Sequence, residues 1–103
     1  MFEIEHIKFL LKTEQFYLSQ HALKRTIERN ITIDEVVELS DNIGLIEEYP
    51  DDKYLPSCLA LGFTKINRPL HIQITVDSSS LLKIITIYEP DEIEWLQDLK
   101  TRR

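Results

Sequence analysis

Basic and titratable side chains recur at helical spacing in one stretch, Ser19 to Ile31, which reads SQHALKRTIERNI. His21, Arg25 and Arg29 are four residues apart and Glu28 falls beside them, so a helix gathers all four on one face. Histidine exchanges protons near neutral pH, and the planar fork of arginine binds two phosphate oxygens at once. The stretch therefore raises the hypothesis of a site that acts on an anion.

Cleavage of RNA without a metal ion needs three groups around one phosphate. A base takes the proton of the 2′-hydroxyl, cations stabilise the charge that develops on the phosphate, and an acid protonates the leaving 5′-oxygen. His21 and Arg25 lie one helical turn apart, while His71 lies on the polar side of an alternating strand, PLHIQITV, and Tyr88 lies near the end of the next strand. If the helix packs beside that polar side, the predicted catalytic set is His21, Arg25, His71 and Tyr88.

Four further residues are predicted to bind the substrate, namely Glu28, Arg29, Arg68 and Lys83. Glu28 is placed to orient Arg25 or His21, with a role as general base as the lesser alternative. Each candidate also has a structural interpretation. The arginines of a charged helix commonly pair with neighbouring carboxylates, at about 0.3 to 0.5 kcal/mol per pair. His71 would then be a hydrogen-bonded surface group, and Tyr88 a core or interface aromatic residue.

Three helices are predicted before the strands. The first covers residues 3–12, and the second begins after a capping residue, Ser19, with Leu23, Ile27 and Ile31 as its core face. The third begins at a capping box formed by Thr32 and Glu35. Its predicted buried face is Ile33, Val36, Val37 and Leu39, and Gly44 is placed to end it. The segment FYL at 16–18 is interpreted as a short extended link.

Four strands follow: GLIEEY, SCLALGFTKI, PLHIQITV and LLKIITIY. The short turns INRP and DSSS between the last three favour antiparallel neighbours. A last helix is predicted in EPDEIEWLQDLK, where Asp91 is a capping residue and the apolar residues recur at helical spacing. The predicted fold class is α+β, with N-terminal helices packed on a four-stranded antiparallel sheet and a C-terminal helix.

Composition limits the class of protein. The 103 residues suffice for one domain, 1–103, and the net charge of −6 is concentrated in residues 34–52, which contain no basic residue. The lone Cys58 is predicted to be a buried thiol in a reducing cytosol. No apolar run approaches the roughly 18 residues of a membrane span, so a cytoplasmic protein is expected. The three histidines lack metal-ligand spacing, and two glycines cannot form a phosphate-binding loop, so no metal or cofactor is predicted.

Several motifs together carry a resemblance to a known family. The stretch 19–31, followed by EVVEL, GLIEEYPDD, PSCLALGF, RPLHIQI and IITIYEPDEIEW, resembles the bacterial family called domain of unknown function four-two-five-eight. The family pattern falls on His21, Arg25, Glu28, Arg29, Arg68, Pro69, His71, Tyr88, Pro90 and Trp95. That family is in turn similar to the RelE-like toxin ribonucleases.

The resemblance implies the toxin of a type II toxin-antitoxin pair. Its expected partners are mRNA, free or on the ribosome, and a cognate antitoxin protein, some examples of which carry a zinc-finger domain. The chain departs from RelE-like toxins in its acidic balance and in a basic C-terminus limited to Arg102 and Arg103. Two alternatives therefore stay open. One is a non-catalytic binding module or degenerate toxin that acts by forming a complex, and the other is an unrelated small enzyme with another anionic substrate.

Overall fold

A computed structural model describes residues 2–53 and 55–103 of the chain. Helices and strands alternate only at its start. The elements are α1 (Ile4–Lys12), β1 (Phe16–Leu18), α2 (Gln20–Arg29), α3 (Ile33–Glu38), a short 3-10 helix (Leu39–Asp41), β2 (Gly44–Tyr49), β3 (Ser57–Phe63), β4 (Pro69–Val76) and β5 (Leu82–Tyr88). Within these residues, no helix combines the length and the hydropathy needed to cross a membrane.

The sheet has five strands in the order β1-β5-β4-β3-β2, so the predicted four-stranded antiparallel sheet is wrong. The strands β2 to β5 pair antiparallel as expected, but β1 is added at the edge, parallel to β5, with Phe16 opposite Leu82. The three residues of β1 are too few to show an alternating pattern, which is why the segment was expected to be a link. Its backbone hydrogen bonds go to a strand far away in sequence.

One face of the sheet carries the apolar core. Leu70, Ile72 and Ile74 of β4 are fully buried there, as the alternation predicted, and they share one cluster with α1, α2 and α3. Cys58 also lies in this cluster as a buried free thiol, and burial raises its pKa to about 12. The other face of the sheet carries His71, Gln73 and Thr75.

The buried face of α2 differs from the prediction. Leu23 and Ile27 are 52% and 71% exposed, whereas Ala22 and Thr26 pack towards the sheet. The Ser19 hydroxyl donates to the carbonyl of Ile85 at 2.7 Å, which ties the start of α2 to β5. At so close an approach, small side chains fit where leucine and isoleucine do not. Of the three predicted core residues, only Ile31, just beyond the helix, is buried.

The start of α3 agrees with the sequence and its end does not. Thr32 and Glu35 form the predicted capping box, with both reciprocal hydrogen bonds present. Val36 and Leu39 are buried, but Ile33 is 44% exposed. Gly44 does not end the helix: the 3-10 turn intervenes, and Gly44 begins β2 instead.

The predicted C-terminal helix is absent. Residues 91–103, called the C-terminal segment below, form irregular turns and one antiparallel bridge between Trp95 and Arg102. The Asp91 and Asp98 carboxylates accept hydrogen bonds from backbone amides two or three residues further on, and such local bonds compete with helix formation. Trp95 is 1% exposed and packs on His71, on the sheet face opposite the core, whereas Ile93 is 84% exposed.

Candidate functional site

A cavity of about 510 Å³ lies between α2, the end of β5 and the C-terminal segment. Three side chains of α2 line it: His21, Arg25 and Arg29, called the basic stripe below. Tyr88 lines it from β5. The structure thus brings together three of the four residues predicted to be catalytic, with Arg29 beside them.

Local interactions position the basic stripe. The Ser19 hydroxyl accepts a hydrogen bond from the Ala22 amide at 3.0 Å and so caps α2. Asn30 ends the helix in the left-handed conformation, with φ at 54°, and its amide bonds to the carbonyl of Thr26. Both ends of α2 are therefore defined, and the spacing of four residues places the stripe along one flank of the helix.

The cations of the stripe are largely unengaged. Arg25 pairs with Glu28 at 3.5 Å, and both side chains are more than a third exposed, so the attraction is weak. Within the described part of the chain, the side chains of His21 and Arg29 make no hydrogen bond or ion pair. Glu28 does not line the cavity, so its contact with Arg25 supports a role in orienting that arginine rather than in binding a substrate.

His71 lies behind Tyr88 and does not line the cavity. Its side chain is fully buried, so the expectation of an accessible polar strand face is wrong at this position. The indole of Trp95 covers the imidazole edge-on, with ring centroids 4.5 Å apart. This contact was not expected, because Trp95 was predicted to lie on a helix and the polar side of β4 to be uncovered.

Two hydrogen bonds hold the imidazole of His71. Its Nδ1 lies 3.1 Å from the Tyr88 hydroxyl, and its Nε2 lies 2.7 Å from the carbonyl oxygen of Leu99. Burial lowers the pKa of His71 and is the largest influence on it. Burial also raises the pKa of Tyr88, so that the hydroxyl is protonated at neutral pH.

Arg68, predicted to bind the substrate, is a structural cross-link. Its guanidinium donates to the carbonyl oxygens of Arg29 at 2.6 Å and Asn30 at 3.0 Å, at the end of α2. It also pairs with the carboxylates of Glu35 and Glu89. With these partners Arg68 joins α2, α3 and the residue after β5, and it does not line the cavity.

Lys83 lies elsewhere on the same face of the sheet as Tyr88. It lines a separate cavity of about 430 Å³ together with Asp52 and Gln73. Lys83 pairs with Thr75 near the start of β5, whereas Tyr88 pairs with His71 at the other end. The structure therefore does not bring Lys83 to the basic stripe.

Arg102 lines the cavity and was not among the predicted site residues. It forms an ion pair with Glu47 at 3.1 Å and lies over the ring of Trp95. The hydrogen bond from Arg102 is the largest influence that lowers the pKa of Glu47. No local pattern in the sequence indicates this placement, because it depends on how the C-terminal segment folds back.

The cavity also has an acidic side, formed by Glu89, Asp91 and Glu94. Glu89 pairs with Arg68, and Asp91 accepts hydrogen bonds from two backbone amides. These two carboxylates therefore have partners within the protein, whereas the cations of the basic stripe face the cavity. No group of three His, Cys, Asp or Glu side chains within residues 2–53 and 55–103 is arranged to hold a metal ion.

In a comparison with known families, the model of the family described as Domain of unknown function (DUF4258) matches residues 18–89. The matched range contains α2 and β5, and hence the basic stripe and Tyr88, but it ends before Trp95, Leu99 and Arg102. No curated protein and no solved structure matches the chain.

Proposed function

The chain belongs to the family described as Domain of unknown function (DUF4258), and from this premise we propose that the cavity beside α2 is the active site of an endoribonuclease that cleaves mRNA without a metal ion. The observation that carries the proposal is the meeting of the basic stripe with Tyr88 in one cavity. Two unpaired or weakly paired arginines suit a phosphate, and a histidine beside them suits proton transfer.

The proposed reaction is an internal transesterification. The 2′-oxygen of the ribose forms a bond to phosphorus while the bond from phosphorus to the 5′-oxygen breaks, leaving a 2′,3′-cyclic phosphate. Arg25 and Arg29 stabilise the charge on the phosphate oxygens. One proton leaves the 2′-hydroxyl and one is given to the 5′-oxygen. Tyr88 takes the first as its own hydroxyl hydrogen passes to Nδ1 of His71, and His21 gives the second.

The finer proposal is a RelE-like toxin of a type II toxin-antitoxin pair in the bacterial cytoplasm. Its support is the resemblance of the motifs to the DUF4258 family, whose model matches residues 18–89, together with the similarity of that family to RelE-like toxins. Its partners would be mRNA, free or on the ribosome, and an antitoxin protein that blocks the cavity, such as one with a zinc-finger domain. The acidic stretch 34–52 lies outside the basic stripe, and Glu89 and Asp91, two of the three carboxylates that line the cavity, are bonded within the protein. The stripe cations therefore supply a local attraction for RNA in spite of the negative net charge.

The test is cleavage of a labelled oligoribonucleotide by the purified chain in the presence of EDTA, with the cyclic phosphate as the product to be detected. Cleavage should be lost in His21→Ala and reduced at least tenfold in Arg25→Ala, as expected for removal of a proton carrier or a phosphate ligand (about 1.4 kcal/mol for each factor of ten). Lys24→Ala is the matched control, because Lys24 is an exposed cation on α2 that does not line the cavity.

The cellular test uses the same variants. Expression of the wild-type chain without an antitoxin should arrest bacterial growth, and His21→Ala should relieve the arrest while the protein stays folded. Normal growth and intact mRNA under strong expression, together with no cleavage by the purified chain, would overturn the ribonuclease proposal.

A second candidate is the non-catalytic binding module, and the exposed pair Leu23 and Ile27 favours it. These two side chains lie on the flank of α2 away from the basic stripe, so a protein could cover them and leave the cavity open. Binding to a candidate antitoxin that is lost in Ile27→Asp but unchanged in His21→Ala and Arg25→Ala would support this candidate. Loss of binding in the stripe variants would instead place the partner at the cavity.

A further inference from the structure

A buried chain of hydrogen bonds runs from the C-terminal segment to the wall of the cavity. The carbonyl oxygen of Leu99 lies 2.7 Å from Nε2 of His71, and Nδ1 of His71 lies 3.1 Å from the hydroxyl of Tyr88. Of the three residues, only Tyr88 lines the cavity. His71 and Leu99 therefore act on a ligand only through Tyr88.

The direction of the hydrogen bonds in this chain follows from the chemistry of its ends. A carbonyl oxygen only accepts, so Nε2 of His71 carries a hydrogen atom and donates it to Leu99. In the neutral imidazole Nδ1 then has a free lone pair, and the Tyr88 hydroxyl donates to it. The hydrogen of Tyr88 is thus turned inward, and its oxygen lone pairs are left to face the cavity.

The surroundings of His71 keep the imidazole neutral. Burial lowers its pKa, and the charged and titratable groups that face it are Arg102, Glu47 and Tyr88. The hydrogen bond to Leu99 and the charge of Glu47 raise the pKa, whereas the charge of Arg102 lowers it, and burial remains the largest influence. A protonated imidazole would reverse the bond to Tyr88 and turn the hydroxyl hydrogen towards the cavity.

The backbone of Leu99 gives an independent indication. Leu99 has a φ of 60°, in the left-handed region that a leucine rarely adopts. A conformation of this kind persists where the surrounding structure imposes it, and it is enriched at functional sites. The carbonyl oxygen of this same residue is the partner of Nε2 of His71, so the C-terminal segment is shaped to hold one tautomer of the imidazole.

We infer that Leu99 and His71 are positioning residues that commit the Tyr88 hydrogen inward, so that Tyr88 accepts a hydrogen bond from a hydroxyl group next to the phosphate of the ligand. The inference rests on the proposed function and deepens it. It places Tyr88 beside the 2′-hydroxyl of a ribonucleotide. A deoxyribonucleotide lacks this hydrogen-bond donor and should therefore bind more weakly.

The test compares two small ligands that differ only in that hydroxyl group. Adenosine 3′-monophosphate and 2′-deoxyadenosine 3′-monophosphate are titrated into the full chain by isothermal calorimetry. The wild-type chain should bind the ribonucleotide about three- to tenfold more tightly, as one neutral hydrogen bond contributes. Tyr88→Phe should bind both ligands with nearly equal affinity, because the basic stripe remains.

Two controls separate this role from general effects on folding. Tyr17→Phe removes a hydroxyl group that bonds to Asp77 outside the cavity, so it should keep the wild-type preference. At position 71, His71→Phe removes the acceptor of the Tyr88 hydrogen and should abolish the preference, whereas His71→Asn retains an acceptor and should restore part of it. Should either His71 variant fail to fold, Tyr88→Phe still decides the question.

The outcomes distinguish this inference from the proposed function. Equal binding of the two ligands by the wild-type chain, with both weakened in Arg25→Ala, would overturn the role of Tyr88 and leave the phosphate site standing. An unchanged preference in Tyr88→Phe would do the same. Binding of neither ligand would overturn both the inference and the phosphate site on which it rests.

Discussion

The guanidinium carbon of Arg102 lies 4.6 Å from the centroid of the Trp95 ring, and the two residues are also joined by an antiparallel bridge. This pair closes the C-terminal segment on itself, and the ion pair with Glu47 fastens it to β2. Trp95 thereby covers His71 while Arg102 enters the wall of the cavity. The contact between Trp95 and Arg102 therefore helps to bury His71 and also places Arg102 in the cavity wall.

Replacement of Trp95 by alanine should strongly destabilise the chain. The indole is 1% exposed, and its loss leaves a cavity over His71, which costs about 3 to 5 kcal/mol in comparable cores. Urea unfolding of Trp95→Ala measures the effect. The matched control is Ile93→Ala, at a side chain 84% exposed in the same segment, which should change the free energy of unfolding by less than about 0.5 kcal/mol. Similar values for the two variants would contradict the packing described for Trp95.

Replacement of Arg68 by alanine should lower stability without changing the affinity for nucleotides. The change leaves the carbonyl oxygens of Arg29 and Asn30 without the guanidinium donor and the Glu35 carboxylate without its cationic partner, at a cost of about 1 to 3 kcal/mol. Chemical unfolding and nucleotide titration of Arg68→Ala give the two quantities. Lys65→Ala, at an exposed cation in the turn before β4, is the control. Loss of nucleotide affinity at unchanged stability would restore the substrate-binding role.

Stability should fall as the pH is lowered below about 6.5, the pKa of histidine in an unfolded chain. Burial lowers the pKa of His71 in the folded chain, so on acidification the unfolded chain takes up this proton first. The stabilisation is present above the unfolded pKa and is lost as the pH falls towards the folded pKa. Urea midpoints at pH 8 and pH 5.5 should differ more for the wild type than for His71→Phe. Equal differences would show that another group is responsible.

The salt dependence of RNA binding should report the basic stripe. The logarithm of the binding constant falls linearly with the logarithm of the salt concentration, and each phosphate contact that is removed makes this slope shallower by about 0.7 for single-stranded RNA. Arg25→Ala and Arg29→Ala should each show this decrease in a fluorescence titration with a short oligoribonucleotide. Lys24→Ala should retain the wild-type slope, because Lys24 does not line the cavity. A decrease of the same size in Lys24→Ala would indicate diffuse attraction to α2.

Several features that depend on neighbours in sequence were predicted well. The cap at Ser19, the capping box of Thr32 and Glu35, and the alternation along β4 are present as expected. The spacing of the basic stripe also leads to one flank of α2, where all three side chains line the same cavity. These features arise from interactions within one or two helical turns or within one strand, which the order of residues specifies.

Two other features depend on distant residues and were not predicted. The pairing of Phe16 with Leu82 made an extended link into a fifth strand, and the close approach of α2 to β5 favoured Ala22 and Thr26 over larger apolar side chains. Apolar residues that recur at helical spacing show that a helix has a buried side. The distance to its neighbour decides which side chains fit there.

The residues that can do chemistry are evident from the sequence: the basic stripe, His71 and Tyr88 all belong to types that bind phosphate or move protons. Their roles depend on the folding back of the C-terminal segment, because Trp95 and Leu99 bury His71 behind Tyr88 and Arg102 joins the cavity. Burial, tautomer and access are properties of contacts between segments far apart in the chain, and no local pattern encodes them.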